Sequence, residues 1–154
     1  MQDTHSPLAR LLAAYYGFVQ AMHMVAITRS YTLLRQRGEI TFLAQPPLGG
    51  WSAQAEHILI SLGGLDFINA LFALIFVYGY FSRSHWWRWL GTTTLTASMV
   101  SSLIYAYGTV ASGAWTGHVV RYLTLVVLFI PIVILAILFG IWGIKDWEIK
   151  NHGK

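Results

Sequence analysis

Apolar residues fall in four long runs rather than in short alternating stretches. From Tyr122 to Trp142 the chain carries no charged side chain and is dominated by Leu, Ile, Val and Phe. A second uncharged run, Leu90 to Ala111, is rich in Thr and Ser. A third, from about Ile58 to Phe81, is apolar but interrupted by Asp66 and Asn69. The first, Leu8 to Thr28, is the weakest, because it holds Arg10, Gln20 and His23. A helix that crosses a bilayer needs about 20 mostly apolar residues. The pattern therefore predicts an all-α integral membrane protein, a four-transmembrane-helix bundle. Its helices are expected at about 8–29, 53–81, 89–111 and 118–144, within one membrane domain covering 1–154. The alternative is three spans with the first helix lying in the interface. The first apolar run reads as a retained helix, since it lacks the basic segment, short apolar core and small-residue site of a secretory signal.

The connections are distinct from the runs. The turn-rich first loop, 30–51, begins as a polar extension of the first helix and ends in Gln45-Pro46-Pro47-Leu48-Gly49-Gly50-Trp51, which stops any helix. Ser52 then suits an N-cap, with Glu56 in the first turn, where the helix dipole favours an anion. Trp86, Trp87 and Trp89 lie between and beside Arg83 and Arg88, a pattern expected of helix ends anchored at headgroup level. Most of the seven tryptophans, Trp115, Trp142 and Trp147 among them, are read as such an aromatic belt.

Composition narrows the function classes. Charged residues are 10 % of the 154, against about 25 % in soluble domains. With no cysteine, a disulfide scaffold, a Cys-ligated metal and thiol redox chemistry are all excluded. No phosphate-binding Walker loop, dinucleotide fingerprint, HExxH or GxSxG is present, so ATP-driven work, zinc proteolysis and triad hydrolysis lack support. No metal site is expected. The net charge of +4 lacks the basic stripe with interleaved aromatics that would read RNA, so nucleic acid is not an expected partner. The charge is better explained by topology. With four spans, Arg10, Arg83, Arg88, Lys145, Lys150 and Lys154 share the side of the termini, and Arg29, Arg35, Arg37 and Arg121 the other. The positive-inside tendency then places both termini in the cytoplasm.

Polar residues at bilayer depth carry the chemistry, because each needs a partner or a wet cavity. Asp66 is the most informative. Tyr16, Gln20, His23 and Ser30 share a face of the first helix, and Thr94, Ser98, Ser101, Tyr105 and Gly108 a face of the third. Gln20, Asp66, Asn69, Ser98 and Ser101 map to the midplane. His23, Glu56, His57, Tyr105, His118 and Arg121 map toward the end opposite the termini. Two shared polar layers imply a cavity that enters from that end and reaches Asp66. Pro131, near mid-span of the fourth helix, should free a carbonyl for a neighbour.

Several functions fit these residues. His23, His57 and His118 could ligate haem between helices, as bundles do. A quinone would instead take hydrogen bonds from the set that includes Gln20, Asn69, Tyr105 and Arg121. The expected role is a small polytopic subunit of a larger membrane complex, enclosing such an apolar cofactor or a lipid, with protein partners or further copies of itself in the bilayer. An enzyme doing acid–base chemistry on a lipidic substrate through Asp66 and Glu56 is the first alternative. A proton or cation transporter using Asp66 is the second.

Overall fold

A computed structural model of the chain describes the backbone of residues 6–41 and 44–152 and the side chains as far as Trp142. The side chains of Lys145, Trp147, Lys150 and Lys154 lie outside the described residues. Four helices are present: α1 (Pro7–Arg37), α2 (Ala53–Phe81), α3 (Trp87–Ala111) and α4 (Ala114–His152).

Local chemistry sets their ends. Ser6 caps α1, its hydroxyl accepting from the Ala9 amide, and Pro7 occupies the first turn, where no amide donor is needed. The next breaker is Gly38, so α1 continues about eight residues beyond the expected end. There Gly38 takes the left-handed conformation (φ 70°) and returns its N–H to the Leu34 carbonyl, beside Arg35 and Arg37 in the last turn. At about 1.5 Å per residue the 31 residues of α1 reach about 46 Å, well beyond a hydrocarbon core. Ser52 caps α2 as the sequence predicts, accepting from the Ala55 amide at 3.2 Å. α4 is interrupted at His118 (φ −139°, ψ 33°), so 114–117 form a helical turn that leads into the long remaining segment.

Short links make neighbouring helices antiparallel. α1 packs on α2 and α4, and α3 packs on the same two, leaving α1–α3 and α2–α4 as the diagonals of a square. One end of the bundle holds residue 6 and the 82–86 turn. The other holds the 38–52 loop and the turn at Ser112 and Gly113 (hereafter the terminal end and the loop end).

α1, α2 and α4 as far as Trp142 are long and apolar enough to cross a membrane. α3 is not, which reverses the expectation that the first helix is the weakest. Arg10 lies near one end of α1, leaving an apolar stretch beyond it. The threonines and serines of α3 are spread through its whole length and dilute every segment. Large apolar side chains cover the outside, including Leu65, Ile75, Leu103, Val120 and Val127. A water-facing surface would not carry such a continuous apolar coat.

The main core lies at the terminal end and draws on all four helices: Leu12, Ala13 and Tyr16, then Ala73, Phe76 and Tyr80, then Trp87, Leu90 and Leu95, and Ile132, Leu135 and Phe139. Phe76 and Phe139 meet edge-on across the α2–α4 diagonal, with centroids 5.3 Å apart. Gly91 permits this meeting. A Cβ there would stand 2.5 Å from the Phe139 ring and 2.6 Å from the Phe76 ring. Gly79 likewise admits the Trp86 indole, whose ring would lie 2.5 Å from an added Cβ. The tryptophan expectation is corrected here. Trp87 is buried and stacks edge-on with Tyr80 and Phe139, so it fills the core rather than the headgroup belt.

Among the described residues the loop end has a smaller hydrophobic cluster, in which Ile27, Ala44 and Leu59 are buried. The first loop closes that end. Tyr122 donates its hydroxyl to the Gln45 carbonyl and accepts from the Gln45 amide, both at 3.1 Å. Stacked on the Trp115 ring, it thus clamps one residue of the loop to α4.

Candidate functional site

The polar layer forms between these two clusters, at the middle of α1, α2 and α3. Its hub is the Ser98 hydroxyl on α3. Asn69 on α2 donates its amide N–H to Ser98 Oγ at 2.9 Å, and Gln20 on α1 donates at 3.4 Å. Those two donors fill the lone pairs of the serine, so its own proton must go to Tyr16 Oη, 2.8 Å away. Tyr16 then donates to the Thr94 carbonyl at 3.2 Å. The chain of donors crosses the α1–α3 diagonal and is buried at Tyr16, Gln20, Thr94 and Ser98.

Asp66 lies one turn from Asn69 toward the loop end. Ser101 on α3 and His23 on α1 lie one turn loop-ward of Ser98 and Gln20, which puts them at the level of the carboxyl. Asp66, Asn69 and His23 are all half-buried. No Lys or Arg occurs in 20–27, 63–70 or 98–109, so the carboxyl has no full basic partner at its own level.

One polar atom in the layer is left over. Gln20 Oε1 is buried without a hydrogen-bond partner, although Gln20 is only 4 % exposed. An orphaned buried acceptor carries a desolvation penalty of about 1–3 kcal/mol. Loop-ward of the layer every helix loses its grip on the interior. None of residues 21–26, 64–69, 99–108 or 123–131 is buried. Tyr105 lies in that zone with its hydroxyl also buried and unpartnered, near Tyr122 and Arg121.

The structure thus gathers Gln20, His23, Asp66, Asn69, Ser98 and Ser101, and it leaves other candidates elsewhere. His23 joins the Asp66 layer rather than the loop-end layer assigned from the sequence. Glu56 sits ten residues from Asp66 on the same helix, about 15 Å along the axis, and forms no pair with it. His57 is exposed, about 13 Å along the axis from Asp66, so its imidazole does not face His23. That geometry does not suit a haem held between those two side chains. His118 marks the α4 kink, and Arg121 is exposed just beyond it. Among the described residues no group of three His, Asp or Glu side chains is placed to hold a metal ion.

Two open grooves lie away from the layer. One of about 540 Å³ runs along the outside of α1, lined by residues such as Met24, Arg29 and Phe67. The other, about 610 Å³, follows the kink from Thr116 to Arg121. Neither includes Asp66.

Sequence reasoning placed Tyr16 and Ser98 in polar stripes without seeing them as the hub. The available signal was that both stripes repeat at spacings of three and four. What that signal lacks is the diagonal contact, because a stripe says which face is polar and not which helix it meets. The freed-carbonyl expectation has a near counterpart. Pro131 supplies no N–H to the Val127 carbonyl, and Tyr15 donates to the next one, Leu128 O, at 2.6 Å. No family model, curated protein or solved structure matches this chain, so its function has to be read from the Asp66 layer itself.

Proposed function

We propose that this chain is a four-span membrane subunit with both termini in the cytoplasm, and that it takes a small membrane-soluble molecule at the Asp66 layer. Its carboxyl and the His23 imidazole at the same level would exchange the proton of that molecule. One observation carries the reading. Three helices converge hydrogen-bonding side chains on Ser98, one turn from a carboxyl with no Lys or Arg at its level, while one buried acceptor stays unmet. Intramembrane ionisable groups are costly to keep and mark binding sites or proton paths.

Two features support α3 as the fourth span. The links at 82–86 and 112–113 are too short to let α3 leave the path between α2 and α4. Its hydroxyls are also satisfied within the helix: Thr92 donates to the Arg88 carbonyl, Thr93 to Trp89, Ser102 to Ser98 and Thr109 to Tyr105. A hydroxyl that returns its proton to the preceding turn leaves no unmet donor for lipid to solvate. The cytoplasmic placement is supported by Arg10, Arg83 and Arg88 at the terminal end, with Arg10 over the Phe81 ring at 6.0 Å.

The chain has no native cysteine, which makes a labelling test clean. His85→Cys and Thr116→Cys, both at exposed positions, should react with an impermeant maleimide from opposite sides of the membrane. Reaction from one side only would remove the fourth span. For the site, native mass spectrometry of the chain released gently from membranes should show a bound small molecule that Asp66→Asn loses while helicity is kept. An unchanged set of bound species in that variant would end the site reading. Larger chains in the same spectra would identify the complex to which the subunit belongs.

A further inference from the structure

Hydrogen-bond accounting around Asp66 says more about the molecule than that it is small and apolar. Each donor group of the layer already has a partner, although each side-chain amide keeps a second N–H. Both amide side chains give to Ser98, Ser98 gives to Tyr16, Tyr16 gives to the Thr94 carbonyl, and Ser101 lies at the level of the Asp66 carboxyl. What lacks any partner is an acceptor. Gln20 Oε1 is unmet, and a carboxylate offers about four lone-pair directions, of which one hydroxyl can fill only one. Gln20 and His23 stand one turn apart on one face of α1, and Asp66 lies one turn from Asn69 in the same direction, so Gln20 Oε1 is buried at the edge of the thinly packed level that holds the carboxyl. The charge points the same way, because no Lys or Arg occurs at this depth to balance the carboxylate.

We propose that the Asp66 layer binds a lipophilic ammonium: a cation that pairs with Asp66, donates an N–H to Gln20 Oε1 and lies with its apolar tail among the helices. This rests on the layer being a binding site and names the class of molecule it takes. A molecule that only accepts, such as an oxidised quinone, could take an N–H from His23 or a remaining amide N–H but would leave Gln20 Oε1 unmet.

Four eight-carbon probes with a common tail separate these chemistries: octylammonium, octyltrimethylammonium, octanol and octanoate. Each is titrated into the unmodified chain in phosphatidylcholine nanodiscs, with empty nanodiscs subtracting simple partitioning and tryptophan fluorescence reporting occupancy. Octylammonium should bind saturably and at least tenfold more tightly than octyltrimethylammonium, which carries the charge without an N–H. Octanol should be weaker still, and octanoate should not saturate. Asp66→Asn should weaken octylammonium at least tenfold. Gln20→Leu should weaken octylammonium and leave octyltrimethylammonium unchanged, which a general loss of structure would not do. Equal binding of octylammonium and octanoate, or of the primary and quaternary amines, overturns the ammonium assignment. So does equal weakening of both amines by Gln20→Leu. If a decyl-tailed benzoquinone saturates while octylammonium does not, the class is wrong and the site survives. If no probe saturates, both the class and the site fall.

Discussion

The terminal and loop halves of this bundle are made from the same four helices and hold together by different means. At the terminal end, rings from α2, α3 and α4 meet edge-on around Phe139, and glycines at 79 and 91 let them approach. Loop-ward of Ser98 no helix buries a side chain for about two turns, and burial then resumes at scattered positions such as Leu62, Thr109 and Tyr122 and in the small Ile27, Ala44 and Leu59 cluster. Between membrane helices, where lipid supplies no hydrophobic drive, contact area and hydrogen bonds decide which surfaces stay shut. The terminal half is therefore the rigid frame, and the polar layer sits at its edge, where the frame thins and a carboxyl becomes tolerable.

Substitutions can break or sharpen that contrast. The largest effect is expected in the frame. Phe76→Ala removes a ring that touches Tyr16, Tyr80 and Phe139, and should lower stability by about 3 kcal/mol, near the bottom of the range for buried aromatics because the transfer term is missing in lipid. Unfolding in a denaturing-detergent titration, followed by helicity, measures it. A loss no greater than that from a loop-end substitution would erase the distinction between the halves.

At the boundary, Tyr16→Phe keeps the ring and deletes the bridge across the diagonal. The same titration should show a loss of about 1 kcal/mol, as for one hydrogen bond, with Phe76 contacts intact. A loss as large as that of Phe76→Ala would mean that the polar layer, not the aromatic core, is the frame. At the loop end, Tyr122→Phe removes both bonds to Gln45 and should cost little globally. Its local mark is faster amide exchange at Gln45; unchanged exchange there would show that the clamp does not hold the loop. The smallest effect is expected on the outer face of α3. Thr92→Val should stay within about 0.5 kcal/mol, since the Thr92 hydroxyl is spent on its own helix. A larger shift would show that this hydroxyl has a second partner.

Much of this arrangement was legible along the chain. Ser52 was read as the cap of α2, whereas the end of α1 at Gly38 was missed by about eight residues although it too is set by a local hydrogen bond. The midplane residues Gln20, Asp66, Asn69, Ser98 and Ser101 fall at one level, because counting along each helix from its end fixes depth along the axis. Glu56 and His57 were less readable. Their helix positions were clear, but counting along α2 alone does not tell that α1 places His23 at the level of Asp66 rather than at that of either of them. Trp87 was misread because Trp next to Arg is ordinary at a headgroup boundary, and only the Gly91 gap shows that the ring turns inward.

By itself the sequence determined the number of helices, their approximate depths, the absence of thiol chemistry and the presence of a carboxyl among apolar residues. These follow from local preference and from the free energy of moving side chains between water and lipid, both of which are properties of short segments. The tertiary structure decided that Ser98 collects donors from two other helices, that Gln20 keeps an unmet acceptor and that the aromatic core occupies only one end. Those depend on which faces meet across a diagonal, and that is set by how ring and glycine shapes fit together over all four helices at once.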